Sequence, residues 1–336
     1  MTPLLRFGLI ISLLFAVSSC EQLLIEKDPA DTPTNNFELF WKEVNDRYTF
    51  FEYKKIDWNA VYQRYRPQIK DSMTERELFS VMATMMNELR DGHTNLQSDF
   101  DVSRSWDWYL DYPANFNANI IERNYLGKNY EIAGPFKNRL LPNDMAYIQY
   151  ESFMGISDAE QLGKLIQKYQ SVKGIIIDIR DNTGGALAMV DLIAQFFVPQ
   201  DLTVGYERYK KSAKSGDFTD FFAYQIKKHE SISYKGKVVL LTNRKVYSAA
   251  NWFASVMSEL PNVTLIGDQT GGGGGAPFSG ELMNGWKYRF SGTQLLNLKK
   301  EQIESGVVPD IKIDMKKEDE AAGKDTILEA AIAYLK

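Results

Sequence analysis

The chain has 336 residues, of which 44% are apolar and 13% aromatic, a composition typical of a globular protein with room for two domains. The net charge of −5 excludes the broad basic surface of a typical nucleic-acid-binding protein. With one cysteine and two histidines, an internal disulfide, a cysteine-based zinc site and a multi-histidine metal site are also excluded.

The N-terminal segment has the pattern of a bacterial export signal. Arg6 supplies a positive charge, Leu9 to Val17 form an apolar run, and two serines precede Cys20; the run is too short to span a membrane. The residues before Cys20 resemble a lipobox, in which the cysteine becomes the lipid-modified first residue of the mature protein. We therefore predict a lipoprotein signal peptide over residues 1–19, lipidation of Cys20 and a tether over residues 20–36, with an ordinary secretory signal as the alternative.

Residues 37–95 predict a small helical domain. Apolar side chains recur at helical spacing from Phe37 and again around Trp58, as on the buried face of an amphipathic helix. A third helix is predicted to begin at the capping box Thr74–Glu77.

The two histidines stand in different settings. Gly92 has the position of a helix C-terminal glycine, which would deliver His93 into the loop after the third helix. His229 lies among the charged residues of Lys227–Glu230, as expected of a solvated side chain. A lone histidine is more often structural than catalytic, so His93 is at this point only the better candidate of the two.

A strand-rich connecting region is predicted over residues 96–145. Short strands are expected at Ala118–Arg123 and Tyr130–Ala133, and another at Met145–Tyr150. The region is too short and irregular to assign a separate module to it.

Two strand-to-helix turns follow. The first comes after the strand Gly174–Ile179 and contains Gly184 and Gly185, whose N–H groups would face outward at a helix N-terminus, as in an anion site or an oxyanion hole. A plain tight turn is the alternative. The second follows the apolar run Val238–Leu241 and places Ser248 at the start of a helix, where it would be either an N-cap or a nucleophile.

The C-terminal third adds further landmarks. Residues 201–236 are polar and predict an excursion over the surface. The run Gly271–Gly275 predicts a mobile loop or a close approach of a ligand backbone. A hairpin turned at Asn284-Gly285 follows, and the chain closes on a helix with Asp325 as a candidate N-cap.

Together these segments resemble the C-terminal-processing (tail-specific) serine peptidase family, and more closely its tricorn-core-like branch. The resemblance spans about residues 37–336 and depends on five segments in register: Leu89–Thr94, Asp178–Gly185, Tyr247–Ala250, Gly267–Gly272 and Gly306–Asp310. It implies an α/β fold in which a ClpP/crotonase-like spiral catalytic domain, residues 96–336, follows the helical domain, with no clear PDZ module.

The resemblance also implies roles for individual residues. Ser248 would be the nucleophile, His93 its general base, and Glu304 the acidic residue that completes the charge relay. An imidazole suits a serine hydroxyl because its pKa lies near ambient pH, and the tetrahedral intermediate needs preorganised donors. The donors implied for the oxyanion are the backbone N–H groups of Gly184 or Gly185 and of Ala249.

Three departures from the family pattern affect this assignment. The lysine base of the processing-protease branch is replaced by the run Gly271–Gly275, which favours the histidine variant. Gly92 stands where the tricorn-type tetrad has a serine that links histidine to glutamate. Asn251 stands where the family often has a glutamate. Glu304 would therefore act through Thr94, through water, or not at all.

The sequence thus predicts a serine peptidase of the bacterial cell envelope that is anchored through Cys20 and cleaves peptides or unfolded protein tails. No metal, organic cofactor or nucleic-acid partner is implied, and the oligomeric state is not indicated. The alternative is a non-catalytic lipoprotein of the same fold that binds a peptide or an apolar ligand, since fold alone does not fix function.

Overall fold

A computed structural model describes residues 29–155 and 158–336. The predicted signal peptide and the lipidation site Cys20 lie outside these residues. Within the described ranges, no helix is both long enough and apolar enough to cross a bilayer.

The described residues form both helices and strands. The helices are α1 (Pro33–Arg47), α2 (Phe51–Lys54), α3 (Trp58–Tyr65), α4 (Glu75–Asn87), α5 (Asp107–Leu110), α6 (Ala118–Ile120), α7 (Ala159–Lys168), α8 (Leu187–Ala194), α9 (Ala249–Ser258), α10 (Lys317–Ala321) and α11 (Thr326–Leu335), with a 3₁₀ turn at Arg66–Gln68 and a π-helical turn at Ile121–Leu126. The strands are β1 (Asn95–Gln97), β2 (Glu131–Ala133), β3 (Phe136–Leu141), β4 (Met145–Tyr150), β5 (Gly174–Asp178), β6 (Leu202–Tyr209), β7 (Phe222–Ile226), β8 (Lys237–Thr242), β9 (Val263–Gly267), β10 (Pro277–Glu281), β11 (Lys287–Ser291), β12 (Thr293–Leu296) and β13 (Ile311–Lys312).

Helices α1, α3 and α4 begin at side-chain caps. Thr32 caps α1, and Thr74 and Glu77 form the predicted capping box of α4. Helix α1 begins at Pro33, four residues before the predicted start, because Thr32 accepts the Asn35 N–H and proline fits the first helical position. The helices share one buried cluster with residues of the β11 hairpin, so the region predicted over 37–95 packs directly on the rest of the chain.

A seven-stranded sheet is the centre of the described fold, in the order β13-β9-β8-β5-β4-β3-β2. Strands β4, β5, β8, β9 and β13 are parallel, and β3 and β2 add antiparallel to one edge. Alternate side chains of the buried strands point to opposite faces. One face packs on α7, α8 and α9, and the other on α11. The predicted α/β fold behind an N-terminal helical region is therefore confirmed.

Two three-stranded sheets flank this core, β1-β11-β10 and β12-β6-β7. The pairing of Leu96 with Tyr288 in the first sheet fixes the chain just after His93. The second sheet holds much of the segment 201–236, which was expected to be a surface excursion, and buries Val204 and Ile226.

The strand predicted at Ala118–Arg123 is wrong. The Asn117 side chain accepts hydrogen bonds from the Asn119 and Ile120 N–H groups and starts α6, which continues into the π-helical turn. The helical conformation buries apolar side chains of this segment against the sheet. The predicted strand at Met145–Tyr150 is confirmed, and the one at Tyr130–Ala133 begins one residue later.

The mobile loop expected at Gly271–Gly275 is also wrong, because all five glycines are buried. A Cβ on Gly272 would collide with the Glu304 carbonyl, and one on Gly271 with Trp108. The Gly274 N–H donates to the Glu304 carboxylate at 2.8 Å. The run therefore permits a close approach, but of the protein's own backbone and side chains rather than of a ligand.

Candidate active site

Ser248 lies at the turn between β8 and α9 in a strained conformation. Its φ of 57° and ψ of −126° fall in a backbone region that residues other than glycine rarely occupy. Such a conformation costs about 1–3 kcal/mol. Its side chain makes no N-cap hydrogen bond. Instead, its Oγ lies 2.8 Å from Nε2 of His93, a residue 155 positions away in the sequence. Ser248 thus occupies the N-cap position of α9, but its side chain does not cap the helix.

Hydrogen bonds hold the backbone of His93 at both its N–H and its carbonyl. Its N–H donates to Asp91 Oδ1 at 2.8 Å, and its carbonyl accepts from Arg289 Nε at 3.2 Å. The ring lies beside Tyr247, with centroids 5.0 Å apart, and the residue is only 4% exposed. The imidazole is thus held against Ser248 by contacts to two separate elements.

The surroundings of His93 favour the neutral imidazole. Burial lowers the pKa of His93 to about 4; the Asp91 carboxylate opposes this shift, and the cations Arg289 and Lys54 add to it. At neutral pH the ring is therefore uncharged and can accept a proton at Nε2. The Nδ1 atom is buried and has no hydrogen-bond partner among the described residues.

The three glycine and alanine residues implied for the oxyanion lie together, but their N–H groups differ. The Gly184 N–H donates to Asn182 Oδ1 at 2.9 Å, so it is already engaged. Within the described chain the Gly185 and Ala249 N–H groups make no backbone hydrogen bond. Gly184 packs so closely on the Ser248 turn that a Cβ there would lie 2.8 Å from the Ala249 nitrogen and from Ser248 Cβ. Of the two glycines, Gly185 therefore has the N–H that remains available.

Glu304 is buried, but its carboxylate contacts other groups than His93. Oε1 forms an ion pair with Lys54 Nζ at 2.7 Å, and Oε2 accepts the Gly274 N–H at 2.8 Å. Burial and the Asp91 charge raise the pKa of Glu304 to about 7, against the opposing effect of Lys54. The described residues contain no hydrogen bond that links Glu304 to His93.

The side-chain route considered for such a link, through Thr94, is not formed. The Thr94 hydroxyl donates to the Asp91 carbonyl at 2.6 Å rather than to Glu304. At Gly92, a Cβ would lie 2.6 Å from Trp108 Nε1 and 2.8 Å from the Tyr247 hydroxyl oxygen. Those two rings occupy the space that a linking serine would need, so the observed packing leaves no room for a side chain at position 92.

The carboxylate that accepts a hydrogen bond from His93 is Asp91, a residue for which no role was predicted. It is 1% exposed. Its Oδ2 accepts from Ser291 Oγ at 2.8 Å and from the Tyr48 hydroxyl at 3.1 Å. Burial alone would raise the pKa of Asp91, but Lys54, His93 and the hydrogen bonds to the carboxylate together lower it. Its position two residues before the candidate base was the only signal in the sequence.

A cleft of about 580 Å³ opens over Ser248 and His93. Aromatic and apolar side chains line it beside the candidate catalytic groups: Trp106, Trp108, Tyr109, Met154 and Pro277. A neighbouring cleft of about 490 Å³ contains Glu304 and Lys54. Gly92, Trp108 and Tyr247 line both clefts, so these residues form the wall between Ser248 and Glu304.

The described part of the chain contains no group of three or more His, Cys, Asp and Glu side chains arranged to hold a metal ion. The pairing of a hydroxyl with a neutral imidazole, beside free N–H groups, is a general-base arrangement for nucleophilic attack by Ser248.

Comparisons with known proteins agree with this chemistry. The model of peptidase family S41 matches residues 144–313, and the model of the tricorn protease C1 domain matches residues 29–87. The carboxy-terminal processing protease CtpA of Bacillus subtilis is 26% identical over 176 residues, which are 52% of this chain and 36% of CtpA. The chain therefore spans about a third of the length of that relative.

Solved structures extend the similarity over most of the chain. The crystal structure of a candidate peptidase from Parabacteroides merdae is 43% identical, with a TM-score of 0.86, and the match covers 91% of this chain and 97% of that one. Mature CPAF has a TM-score of 0.67 at 12% identity, over 91% of this chain and 96% of that one. At this low identity, the similarity to CPAF shows a shared fold alone.

Proposed function

We propose that this chain, which belongs to peptidase family S41, cleaves peptide bonds with Ser248 as the nucleophile and His93 as the general base. The observation that carries the proposal is the distance of 2.8 Å between Ser248 Oγ and His93 Nε2. That distance is within the range required for proton transfer from a nucleophile to its base.

The reaction follows from these two groups. Ser248 Oγ attacks the carbonyl carbon of the scissile bond while its proton passes to His93 Nε2, which gives an imidazolium and a tetrahedral oxyanion. Collapse of the intermediate breaks the C–N bond, and the leaving amine takes the proton from Nε2. A water molecule then attacks the acyl-enzyme and gives a proton to the same nitrogen; the C–Oγ bond breaks, Nε2 returns the proton to Ser248 Oγ, and the acid is released.

Two backbone donors are proposed to stabilise the oxyanion. Gly185 lines the same cleft as Ser248, Ala249 follows Ser248 in the chain, and the N–H groups of both are free of other backbone acceptors in the described chain. One such donor contributes on the order of 10²–10³ in rate. In this backbone conformation, the Ser248 hydroxyl lies against His93 and makes no hydrogen bond to the start of α9.

The proposed substrates are peptides or unfolded protein tails. The cleft beside Ser248 is open and carries exposed apolar side chains, among them Trp106 at 47% and Met154 at 77% exposure. Such a surface fits side chains that a folded protein would bury. The name of the Bacillus subtilis relative, a carboxy-terminal processing protease, favours chain ends.

We further propose that the protein works in the bacterial cell envelope, anchored by a lipid on Cys20. The support is the export signal over residues 1–19 and the lipobox-like residues before Cys20. Several acyl chains at about 0.8 kcal/mol per buried CH₂ would hold the protein firmly on a membrane. Replacement of Cys20 by alanine should move the protein from the membrane fraction to the soluble fraction; unchanged partition would contradict the anchor.

The catalytic proposal is tested with protein lacking residues 1–20 and a fluorescent unfolded casein. Ser248→Ala and His93→Asn should each lower kcat on the order of 10⁴-fold or more. Matched controls are Ser80→Ala, on the exposed face of α4, and His229→Asn, at the other histidine; both should keep the activity of the unmodified chain.

Equal cleavage by the Ser248→Ala variant and the unmodified chain would refute the proposal. Absence of cleavage by every version on a wide panel of peptides would favour the alternative, a binding lipoprotein of the same fold.

A further inference from the structure

The Asp91 carboxylate is buried and held by several hydrogen bonds, unlike a solvent-exposed acid. It accepts four hydrogen bonds: from the His93 N–H at 2.8 Å, the Ser291 hydroxyl at 2.8 Å, the Tyr48 hydroxyl at 3.1 Å and the Tyr247 hydroxyl at 3.4 Å. The donors come from the loop itself, from β11, from the turn after α1 and from the residue before Ser248. A carboxylate with this many donors keeps its negative charge.

Lys54 lies between Asp91 and Glu304. Its Nζ is 2.7 Å from Glu304 Oε1 and 3.9 Å from Asp91 Oδ2, and its side chain is only 12% exposed. It also donates to the Arg90 carbonyl at 2.8 Å. Glu304 is therefore matched with a cation of its own, while the wall of Gly92, Trp108 and Tyr247 separates its cleft from Ser248.

We propose that Asp91 is the acidic positioning residue of His93 in this chain, and that Glu304 serves to hold Lys54 rather than to complete the relay. The proposal rests on the proposed function, since it assigns a partner to the proposed general base. It reassigns the acidic role that family resemblance gives to Glu304.

Asp91 acts on His93 in two ways. Its Oδ1 binds the His93 N–H and so fixes the loop that presents the ring. Its charge stabilises the imidazolium that forms when Nε2 takes the serine proton. The charged groups that act against it are Lys54 and Arg289, and the uncharged hydroxyl groups beside the ring belong to Tyr247 and Ser248.

The decisive comparison is between Asp91→Asn and Glu304→Gln, measured with the peptidase assay. Asn keeps an acceptor for the His93 N–H, and the Tyr48 hydroxyl can turn to the Leu89 carbonyl, 3.5 Å away. Loss of the charge should lower kcat about 10- to 1000-fold, the range expected from an opposite charge that shifts a pKa by about 1–3 units. KM should change little, and Glu304→Gln should lose less than about threefold.

A pH readout separates positioning from general damage to the fold. With a His93 pKa of about 4, kcat/KM of the unmodified chain should be about half its neutral plateau at pH 4. Asp91→Asn should keep a larger fraction of its own, lower plateau at pH 4, because loss of the carboxylate lowers the pKa further. Lys54→Met should keep a smaller fraction, because loss of the cation raises it.

The outcomes are distinguishable. Retained activity in Ser248→Ala would overturn the proposed function itself. If Ser248→Ala is inactive but Asp91→Asn cleaves normally, or if Glu304→Gln loses as much kcat as Asp91→Asn, the positioning role of Asp91 is wrong. Should Asp91→Asn not fold, Lys54→Met decides: an unchanged ratio of the rates at pH 4 and pH 7 would contradict the network.

Discussion

Introduction of a serine at Gly92 tests how far this site differs from the tricorn-type tetrad that the sequence resembles. In that tetrad a serine beside the histidine connects it to a glutamate. If the absence of a serine side chain at position 92 were the only difference from that tetrad, Gly92→Ser would restore the connection to Glu304 and raise kcat. The packing around Gly92 predicts the opposite.

The expected cost follows from the neighbouring rings. A Cβ at position 92 would lie 2.6 Å from Trp108 Nε1, 2.8 Å from the Tyr247 hydroxyl oxygen and 3.0 Å from Tyr247 Cζ. Overpacking of this kind costs about 1–3 kcal/mol. Displacement of Trp108 would also break its stack on Tyr247, with centroids 4.1 Å apart, which is worth about 0.5–1.5 kcal/mol. We expect Gly92→Ser to lower the free energy of unfolding by about 2–4 kcal/mol.

Activity should fall as well, because Tyr247 adjoins Ser248 and its ring lies beside His93. The assay is urea unfolding followed by fluorescence, together with kcat on unfolded casein. Gly92→Ser/Trp108→Ala is the control, since removal of the indole opens the space for the hydroxymethyl group. The double variant should be less destabilised than the sum of the single variants, by about 1 kcal/mol or more. A Gly92→Ser protein with unchanged stability and a higher kcat would refute the packing argument and restore Glu304 to the relay.

Three further predictions follow from buried or strained groups. Because the folded-state pKa of His93 is lowered to about 4, the unfolded chain binds a proton that the folded chain does not between about pH 6.5 and 4. The contribution of His93 to the free energy of unfolding should therefore fall by up to about 3 kcal/mol as the pH falls through that window. Glu304, whose pKa is raised to about 7, acts in the opposite direction, so the measurement is the difference in slope between the unmodified chain and His93→Asn; equal slopes would contradict this. Ser248→Gly should be more stable than Ser248→Ala by about 1 kcal/mol, because glycine removes the backbone strain at a φ of 57°; thermal unfolding that ranks alanine first would be the contrary result. Arg180→Met should lower the free energy of unfolding in urea by about 3–5 kcal/mol. The Asp178 and Asp325 carboxylates, 2.7 and 2.9 Å from the guanidinium, would stay buried without their counter-charge. A loss below about 1 kcal/mol would show that these ion pairs are dispensable.

Local patterns in the sequence were sufficient for the Ser248 turn and for the strands of the parallel sheet. The apolar run Val238–Leu241 and the helical spacing after Ser248 depend only on neighbours in sequence. The approach of His93 to Ser248 could not be read from periodicity, because it depends on the pairing of β1 with β11 and on Arg289. Family resemblance supplied that contact.

The acidic part of the site could not be predicted in the same way. Lys54 reaches Glu304 across 250 positions from a helix of only four residues, which gives no periodic signal. Asp91 is unremarkable in sequence, and only the fold shows that it is buried under His93. The run Gly271–Gly275 was misread because glycine permits both mobility and close packing, and only the positions of Glu304 and Trp108 decide between them.

The central claim is that His93 activates Ser248 for covalent catalysis, and the most direct measurement is active-site labelling by a fluorophosphonate followed by mass spectrometry. We predict a single adduct on Ser248 in the unmodified chain and in His229→Asn, and labelling at least about 10³-fold slower in His93→Asn. An adduct on a different serine, or equal labelling rates in His93→Asn and the unmodified chain, would contradict it.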